Sequence, residues 1–297
     1  MKPSPKSFIL DLLSTLKHGT MPVSALVEAG ELFGIGANNM RVALARLLAA
    51  GQVGRDERGR YRLGDGTRPV AKRLAGWRDP GHRTRQWDGS WIGVHCATAD
   101  PKIGRSEKRG RKRALHLLGF ELLLPNLAVR PSNLRATTAE LRAELRSIGL
   151  PLVDLVCELR DLDAEQDAAA RSLWNTESLR ALYGDLDDEL RESTTHIAAA
   201  PPREAMVESF LVGGRALREL ILDPLLPDEI CPPTERRALL ASMKDYDRLG
   251  RAAWAEFLNG YDVPHLRGPI DSRMAVTTGP RTGFNGTDPA GKEGIRP

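Results

Sequence analysis

The apolar positions of the first 50 residues recur at helical spacing in three sets, which end near Gly19, Gly34 and Gly51. We expect Pro22 in the first turn of the second helix, where its missing N–H costs nothing. Two short strands, residues 52–55 and 60–63, follow around a polar turn. Three helices and a hairpin predict a winged helix-turn-helix over residues 5–75. The apolar sets are Phe8, Ile9, Leu12, Leu13 and Leu16; Val23, Leu26, Val27 and Phe33; and Met40, Ala43, Leu44, Leu47 and Leu48.

The next segment, residues 85–160, alternates strand and helix patterns. Strands are expected at 91–96, 121–124, 127–130 and 152–159, and helices at 103–118 and 132–148. The residues from Thr137 to Glu140 match a capping box. The resulting order, βαββαβ, predicts a ferredoxin-like middle domain.

Helical periodicity dominates residues 161–267, with a proline-rich connector at 223–228. Residues 268–297 are rich in proline and glycine and lack periodicity, so we expect them to be disordered. The predicted class is α+β: a winged helix-turn-helix, a ferredoxin-like middle domain and a helical carboxy-terminal domain.

Charge divides the chain of 297 residues more sharply than its net value of +4 suggests. Residues 1–116 contain 22 Lys and Arg and 10 Asp and Glu, whereas residues 117–297 contain 21 Lys and Arg and 29 Asp and Glu. A basic front half indicates a polyanionic partner, although a solubilising mixture of charges is the simpler alternative. No stretch resembles a membrane span, Asp11 interrupts the first apolar run, and the three cysteines are far apart. We therefore expect a cytoplasmic protein with no membrane partner.

The third helix carries the first candidate site. Its polar face would present Asn38, Asn39, Arg41 and Arg46, with small alanines allowing close approach to a groove. Asn and Arg pair with adenine and guanine edges in the major groove of DNA. The alternative is a small helical domain whose outer face is merely polar.

The predicted hairpin carries the second candidate site. Arg55, Arg58, Arg60 and Arg62 cluster around its turn, where arginines can follow a phosphate backbone or enter the minor groove. A solvated turn is the alternative. A further basic stretch, residues 102–113, holds seven Lys and Arg and one Glu; it either reaches flanking phosphates or is an exposed helix face.

Signatures of enzymes are scarce. The sequence has no phosphate-binding loop, no His-Glu-x-x-His and no Gly-x-Ser-x-Gly, and its six histidines lack metal-ligand spacing. We therefore predict no catalytic residue, no metal and no cofactor.

The chain resembles the PaaX family of bacterial transcriptional repressors, named for phenylacetate degradation. The resemblance spans residues 5–265 and rests on motifs in all three segments. They are Gly34, Ile35, Arg41 and Ala43 with Arg46, Leu47 and Gly51; Trp87-Asp88-Gly89-Ser90-Trp91; Leu118-Gly119-Phe120; Val129-Arg130-Pro131; and Asp223-Pro224-Leu225-Leu226-Pro227.

This resemblance implies a repressor of double-stranded operator DNA that is released by an aryl-acyl-CoA. We expect a homodimer in which the middle domain forms the dimer contact. The phosphates of such an effector would need cations beside an apolar slot. The candidates are Arg215, Arg218, Trp174 and Tyr183, although the two arginines are equally suited to ion pairs on the helix surface.

Two other functions stay open. Relatives of the middle domain include a nuclease with a metal-binding aspartate near the end of the first strand. Here no carboxylate follows that strand until Asp100, which disfavours a metal-dependent nuclease. A winged helix can also bind another protein, which the arginine-rich hairpin disfavours.

Overall fold

The computed structural model describes residues 2–14, 16, 20–64, 73, 74, 76–97 and 104–263. The protein is α+β, with two small antiparallel sheets and a helical carboxy-terminal region, as the predicted class requires. The expected disorder of 268–297, the stop at Gly19 and the position of Asp100 lie outside the described residues. No helix within these ranges is long and apolar enough to cross a membrane.

The amino-terminal part, hereafter the head, contains three helices and three short strands. Gly34 and Gly51 follow the second and third helices with φ of 70° and 65°, so glycine is suited to both stops. The sheet order is β1-β3-β2. The elements are α1 (Pro5–Ser14), β1 (Met21–Pro22), α2 (Val23–Leu32), α3 (Ala37–Ala49), β2 (Val53–Arg55) and β3 (Arg60–Leu63).

Two details of the head differ from expectation. Pro22 is the last residue of β1, opposite Arg60, rather than part of the first turn of α2. The edge position of β1 tolerates a residue without an N–H. Leu48, expected in the core, is 39 % exposed, because Met40, Leu44 and Leu47 already fill the buried side of α3.

The middle part has the predicted order of strands and helices. Its sheet order is β5-β6-β4-β7, and all neighbouring strands are antiparallel. Helices α4 and α5 pack against each other. The elements are β4 (Trp91–His95), α4 (Arg105–Leu117), β5 (Glu121–Leu124), β6 (Leu127–Pro131), α5 (Thr138–Ile148) and β7 (Leu155–Leu159); a 3-10 turn (Pro80–Arg83) precedes them.

Two predicted boundaries in the middle part are wrong. Helix α5 begins at Thr138, not Ser132, because the residues before it are bonded elsewhere. The Asn133 side chain donates to the Leu225 carbonyl (2.6 Å), and Leu134 forms an isolated antiparallel β-bridge with Thr84. The last strand begins at Leu155, and the preceding Leu152 is 78 % exposed.

The carboxy-terminal part is helical, and its three long helices pack against one another. These are α7 (Thr176–Ala199), α8 (Pro202–Leu222) and α9 (Thr234–Gly260), preceded by the short α6 (Ala164–Arg171).

Hydrophobic clusters join the three parts. Phe8 and Phe33 of the head contact Phe210 of α8, with ring centroids 5.2 and 4.9 Å apart, and Phe210 contacts Trp254 of α9 at 6.0 Å. Another cluster combines the middle sheet with α7, α8 and α9. The head is therefore packed directly onto the helical part.

Candidate nucleic-acid interface

Helix α3 presents a polar face to solvent. Met40, Leu44 and Leu47 are at most 1 % exposed and hold the helix on the head's core. The predicted side chains lie on the opposite side, all exposed: Asn38, Asn39, Arg41 and Arg46. The sequence-predicted face is thus assembled on one rigid helix.

A tight turn closes the hairpin between β2 and β3. The Asp56 carboxylate accepts hydrogen bonds from the backbone N–H groups of Arg58 (3.0 Å) and Arg60 (2.8 Å). Gly59 completes the turn with φ of 76°. The turn is therefore fixed, and the side chain of Arg58 extends from it into solvent.

The four hairpin arginines divide into two groups. Arg55, Arg58 and Arg62 are exposed. Arg60 is half-buried and donates from Nε to the Thr20 hydroxyl (2.9 Å) and from Nη2 to the carbonyls of Thr20 and Asp262 (both 3.1 Å). Three arginines are available to a ligand, whereas the fourth connects β3 to the chain before β1 and after α9.

The available cations of the head lack counterions within the part of the chain that the structure describes. Arg41, Arg46, Arg55 and Arg58 form no ion pair there, although Arg55 lies 5.9 Å from the Tyr61 ring. Many other arginines are paired with carboxylates, among them Arg111, Arg171, Arg180, Arg191 and Arg215. The head therefore offers unneutralised positive charge.

One exposed residue of this face was missed. Val42, 41 % exposed, lies on α3 between the polar side chains. Apolar side chains at such positions contact thymine methyl groups. Its helical phase beside Arg41 is the signal that could have revealed it.

The aromatic residues predicted to bind an effector are buried in different clusters. Trp174 stacks on Trp91 at a centroid distance of 6.2 Å and is 5 % exposed. Tyr183 is 2 % exposed inside the cluster that joins the middle sheet to α7–α9. Tyr183 lines only a small cavity of about 10 Å³ beside Arg236, and Trp174 is buried in a different cluster.

Arg215 lines a cleft of about 710 Å³ between α2, α7 and α8, and pairs there with Glu189 at 2.7 Å. Arg218 is half-buried on the same helix and does not line this cleft. The structure therefore does not bring the four predicted effector residues together. The cleft is also acidic, because Glu28, Glu31, Glu204 and Glu208 line it.

Comparison with known proteins gives a family match in the head. The model of the family described as PaaX-like protein matches residues 4–67. The fold is similar to a solved structure, "Uncharacterized protein Rv0674 from Mycobacterium tuberculosis", at 25 % sequence identity and a TM-score of 0.50, covering 82 % of this chain and 96 % of that one. No curated protein matches the sequence.

The head is therefore similar to the PaaX-like family, and the match covers 64 of the 297 residues. The resemblance predicted from the sequence is confirmed over residues 4–67, which include α1–α3 and the hairpin with its exposed arginines. A PaaX-like head suggests a transcription regulator.

Motif residues of the middle and rear parts meet at one joint. The buried Arg130 donates to the carbonyls of Leu118 (2.5 Å) and Pro224 (3.2 Å). Burial, and after it the nearby Arg83, lower the pKa of Arg130 to about 9. The guanidinium therefore remains charged near neutral pH while it holds the sheet to the connector.

A basic cleft of about 340 Å³ lies beside this connector and was also missed. Its apolar wall includes Leu225 and Leu240. Four cationic and two acidic side chains line it: Arg78, Arg236, Arg237 and Lys244 with Asp79 and Asp228. The three arginines each pair with an aspartate, namely Asp247, Asp223 and Asp228. Arg236, Arg237 and Lys244 lie on α9, but Arg78 and Leu225 come from distant parts of the sequence, so only the folded chain forms the cleft.

The nuclease alternative receives no support. Residues 104–263 and the described segments before them contain no group of three or more His, Cys, Asp or Glu that could hold a metal ion. The family match points instead to regulation.

Proposed function

We propose that this protein is a sequence-specific DNA-binding transcription regulator, a dimeric repressor released by a small-molecule effector. The observation that carries the proposal is the exposed face of α3 with Asn38 and Arg41, in the same part of the chain as the exposed arginines of the hairpin. The PaaX-like match over the same residues supports it.

The head is proposed to act as a winged helix-turn-helix. In that geometry α3 enters the major groove, where Asn38, Asn39, Arg41 and Arg46 contact base edges or phosphates. Arg55, Arg58 and Arg62 then lie along the adjacent backbone, where each neutralised phosphate releases counterions. Arg60 is assigned to holding the hairpin, because three of its five N–H donors already bond to Thr20 and Asp262.

The middle part is proposed to be a ferredoxin-like domain that forms the dimer contact. Its βαββαβ order and antiparallel sheet order β5-β6-β4-β7 support this assignment. We keep the boundaries 5–75, 85–160 and 161–267 for the three domains. Two-fold symmetry would present two copies of α3 to half-sites about one DNA turn, or a multiple of it, apart.

The effector is proposed to be an aryl-acyl-CoA, as the family resemblance implies. Its phosphates fit the basic cleft of Arg236, Arg237 and Lys244 better than the acidic cleft beside Arg215. Binding there would favour a head arrangement with lower operator affinity.

DNA recognition is tested with a fluorescent duplex from the protein's own promoter region. Asn38→Ala with Arg41→Ala should weaken binding by about 1–3 kcal/mol for each lost bidentate contact. Arg55→Ala with Arg58→Ala should make the salt dependence shallower by about 1.8 in log–log slope, at about 0.9 per phosphate. Arg248→Ala on α9 is the matched control. Unchanged affinity and slope in both double variants would refute the proposal.

Effector release is tested separately by titrating the operator complex with phenylacetyl-CoA, using Arg237→Gln with Lys244→Gln as the site variant. The wild type should release DNA, and the variant should need more ester. If the ester does not release the wild type, the induction model is lost while DNA recognition stands.

A further inference from the structure

Helix α4 carries a stripe of cations on one face. Arg105, Lys108, Arg109 and Lys112 follow the spacing i, i+3, i+4, i+7, and all four are exposed. We call these four residues the α4 stripe. It lies in the middle part, outside the head that the proposed function uses.

The opposite face of α4 fixes the helix firmly to the molecule. Arg111 forms a forked ion pair with Asp154, with Nε–Oδ2 and Nη2–Oδ1 distances of 2.6 Å. Asp154 also accepts from the backbone N–H of Ala97 at 3.0 Å. Ala114 and Leu117 are buried beneath the helix. The α4 stripe is therefore held in a defined position.

The stripe is electrostatically unfavourable within the protein itself. Arg105 and Arg109, and likewise Lys108 and Lys112, are like charges four residues apart, which destabilise a helix by about 0.2–0.5 kcal/mol per pair. Cations in the first turn also oppose the helix dipole. The only acid of the helix, Glu107, is used as a cap and accepts from the Gly104 N–H at 2.9 Å.

Nothing else in the described ranges offsets this repulsion for three members of the stripe. Arg105, Lys108 and Arg109 have no ion-pair partner there, in contrast to most arginines of the carboxy-terminal part. In this respect they resemble Arg41, Arg46 and Arg58 of the head. Two surfaces of the molecule thus share unneutralised cations, which suits a partner that brings its own negative charge.

We propose that the α4 stripe is a second contact surface for duplex DNA and binds phosphates outside the segment held by the head. From residue 105 to 112 the stripe spans about 10 Å, the rise of about three phosphates on one DNA strand. The contact is independent of sequence, because it involves only the backbone. This inference rests on the proposed DNA-binding function and adds a second surface to it.

The test compares two triple variants of the full chain. The stripe variant is Arg105→Gln, Lys108→Gln and Arg109→Gln. The control is Arg160→Gln, Arg180→Gln and Arg248→Gln, which removes the same charge from exposed arginines that already face carboxylates. Affinity is measured against salt concentration on a short duplex that covers only the head's footprint and on a duplex extended on both sides.

On the extended duplex the stripe variant should bind roughly tenfold more weakly at low salt, and its log–log salt slope should fall by about 2.7, or 0.9 for each lost contact. On the short duplex it should match the control. Its melting temperature should stay equal or rise, because like-charge repulsion is removed.

Equal behaviour of the stripe and control variants on the extended duplex would overturn the inference. So would equal losses on both lengths, which would place the stripe within the head's own segment. Wild-type protein that binds neither duplex would overturn the proposed function as well. If Asn38→Ala with Arg41→Ala weakens binding to both duplexes and the stripe variant weakens binding to neither, only the inference about the α4 stripe is overturned.

Discussion

Gly119 shows how a single residue can depend on a distant part of the chain. It has φ of 71°, and a Cβ atom built on it would lie 2.7 Å from the Cα atom of Pro224 in the connector. Gly51 has a similar φ of 65° but open space around it. Substitutions at the two glycines therefore distinguish the free-energy cost of the backbone conformation from the cost of a steric clash.

Gly51→Ala should destabilise the fold by about 1–2 kcal/mol, the cost of a left-handed conformation for a residue with a Cβ. Gly119→Ala should cost about 1–3 kcal/mol more, because the methyl group overpacks the connector. Urea denaturation measures both. Equal losses for the two variants would show that the connector yields without cost.

Arg60 provides a second test at this scale. Arg60→Ala removes three hydrogen bonds to Thr20 and Asp262, each worth about 0.5–1.5 kcal/mol. Its unfolding free energy should fall, and its salt slope for DNA should stay near the wild-type value. Arg58→Ala, at the exposed turn, should leave the unfolding free energy near the wild-type value and should make the salt slope shallower. A large change of the salt slope in Arg60→Ala would show that Arg60 contacts DNA.

The residue scale also separates what periodicity can predict from what it cannot. The exposed face of α3 follows from helical phase, since Met40, Leu44 and Leu47 determine the buried side. Arg60 and Tyr183 could not be placed in this way. Whether a side chain is free or bonded depends on residues 40 to 200 positions away.

Helix α5 illustrates how elements begin. The Thr137 hydroxyl accepts from the Glu140 N–H at 3.2 Å, and the Glu140 carboxylate accepts from the Thr137 N–H at 2.8 Å. The predicted cap is therefore present. The apolar pattern nevertheless extended the predicted helix back to Ser132, because Leu134 matches the helical spacing while it packs as part of a loop.

Thr137→Ala should destabilise the protein by about 1 kcal/mol, because the first turn of α5 loses its cap. Thr138→Ala is the matched control, one residue further along and without a role as the cap. Thermal denaturation compares the two. Equal melting temperatures would show that Glu140 alone satisfies this helix end.

At the scale of the whole molecule, the aromatic contact of Phe210 with Phe8 and Phe33 joins the head to α8. Helix α8 also packs on α7 and α9. A change in the helical part can therefore reach the head, which carries the proposed DNA-binding face, through packed side chains.

Phe210→Ala should cost about 3–5 kcal/mol and should expose the backbone amides of α1–α3 selectively to hydrogen exchange. Leu239→Ala, buried on α9 in the cluster of the middle sheet, is the control. It should cost about 2–5 kcal/mol without selective opening of the head. Equal protection patterns in the two variants would argue against this route of coupling.

The sequence by itself determined the α+β class, the order of nearly all elements, the polar face of α3 and the basic character of the front half. These follow from local periodicity, capping residues and glycine stops, which act over a few neighbouring positions. Only the tertiary structure decided that Arg60 is bonded internally, that Trp174 and Tyr183 are buried, and that the head shares a core with α8 and α9. The physical reason is that burial and hydrogen bonding of a side chain depend on the segments folded against it, and those contacts leave no periodic trace in the chain.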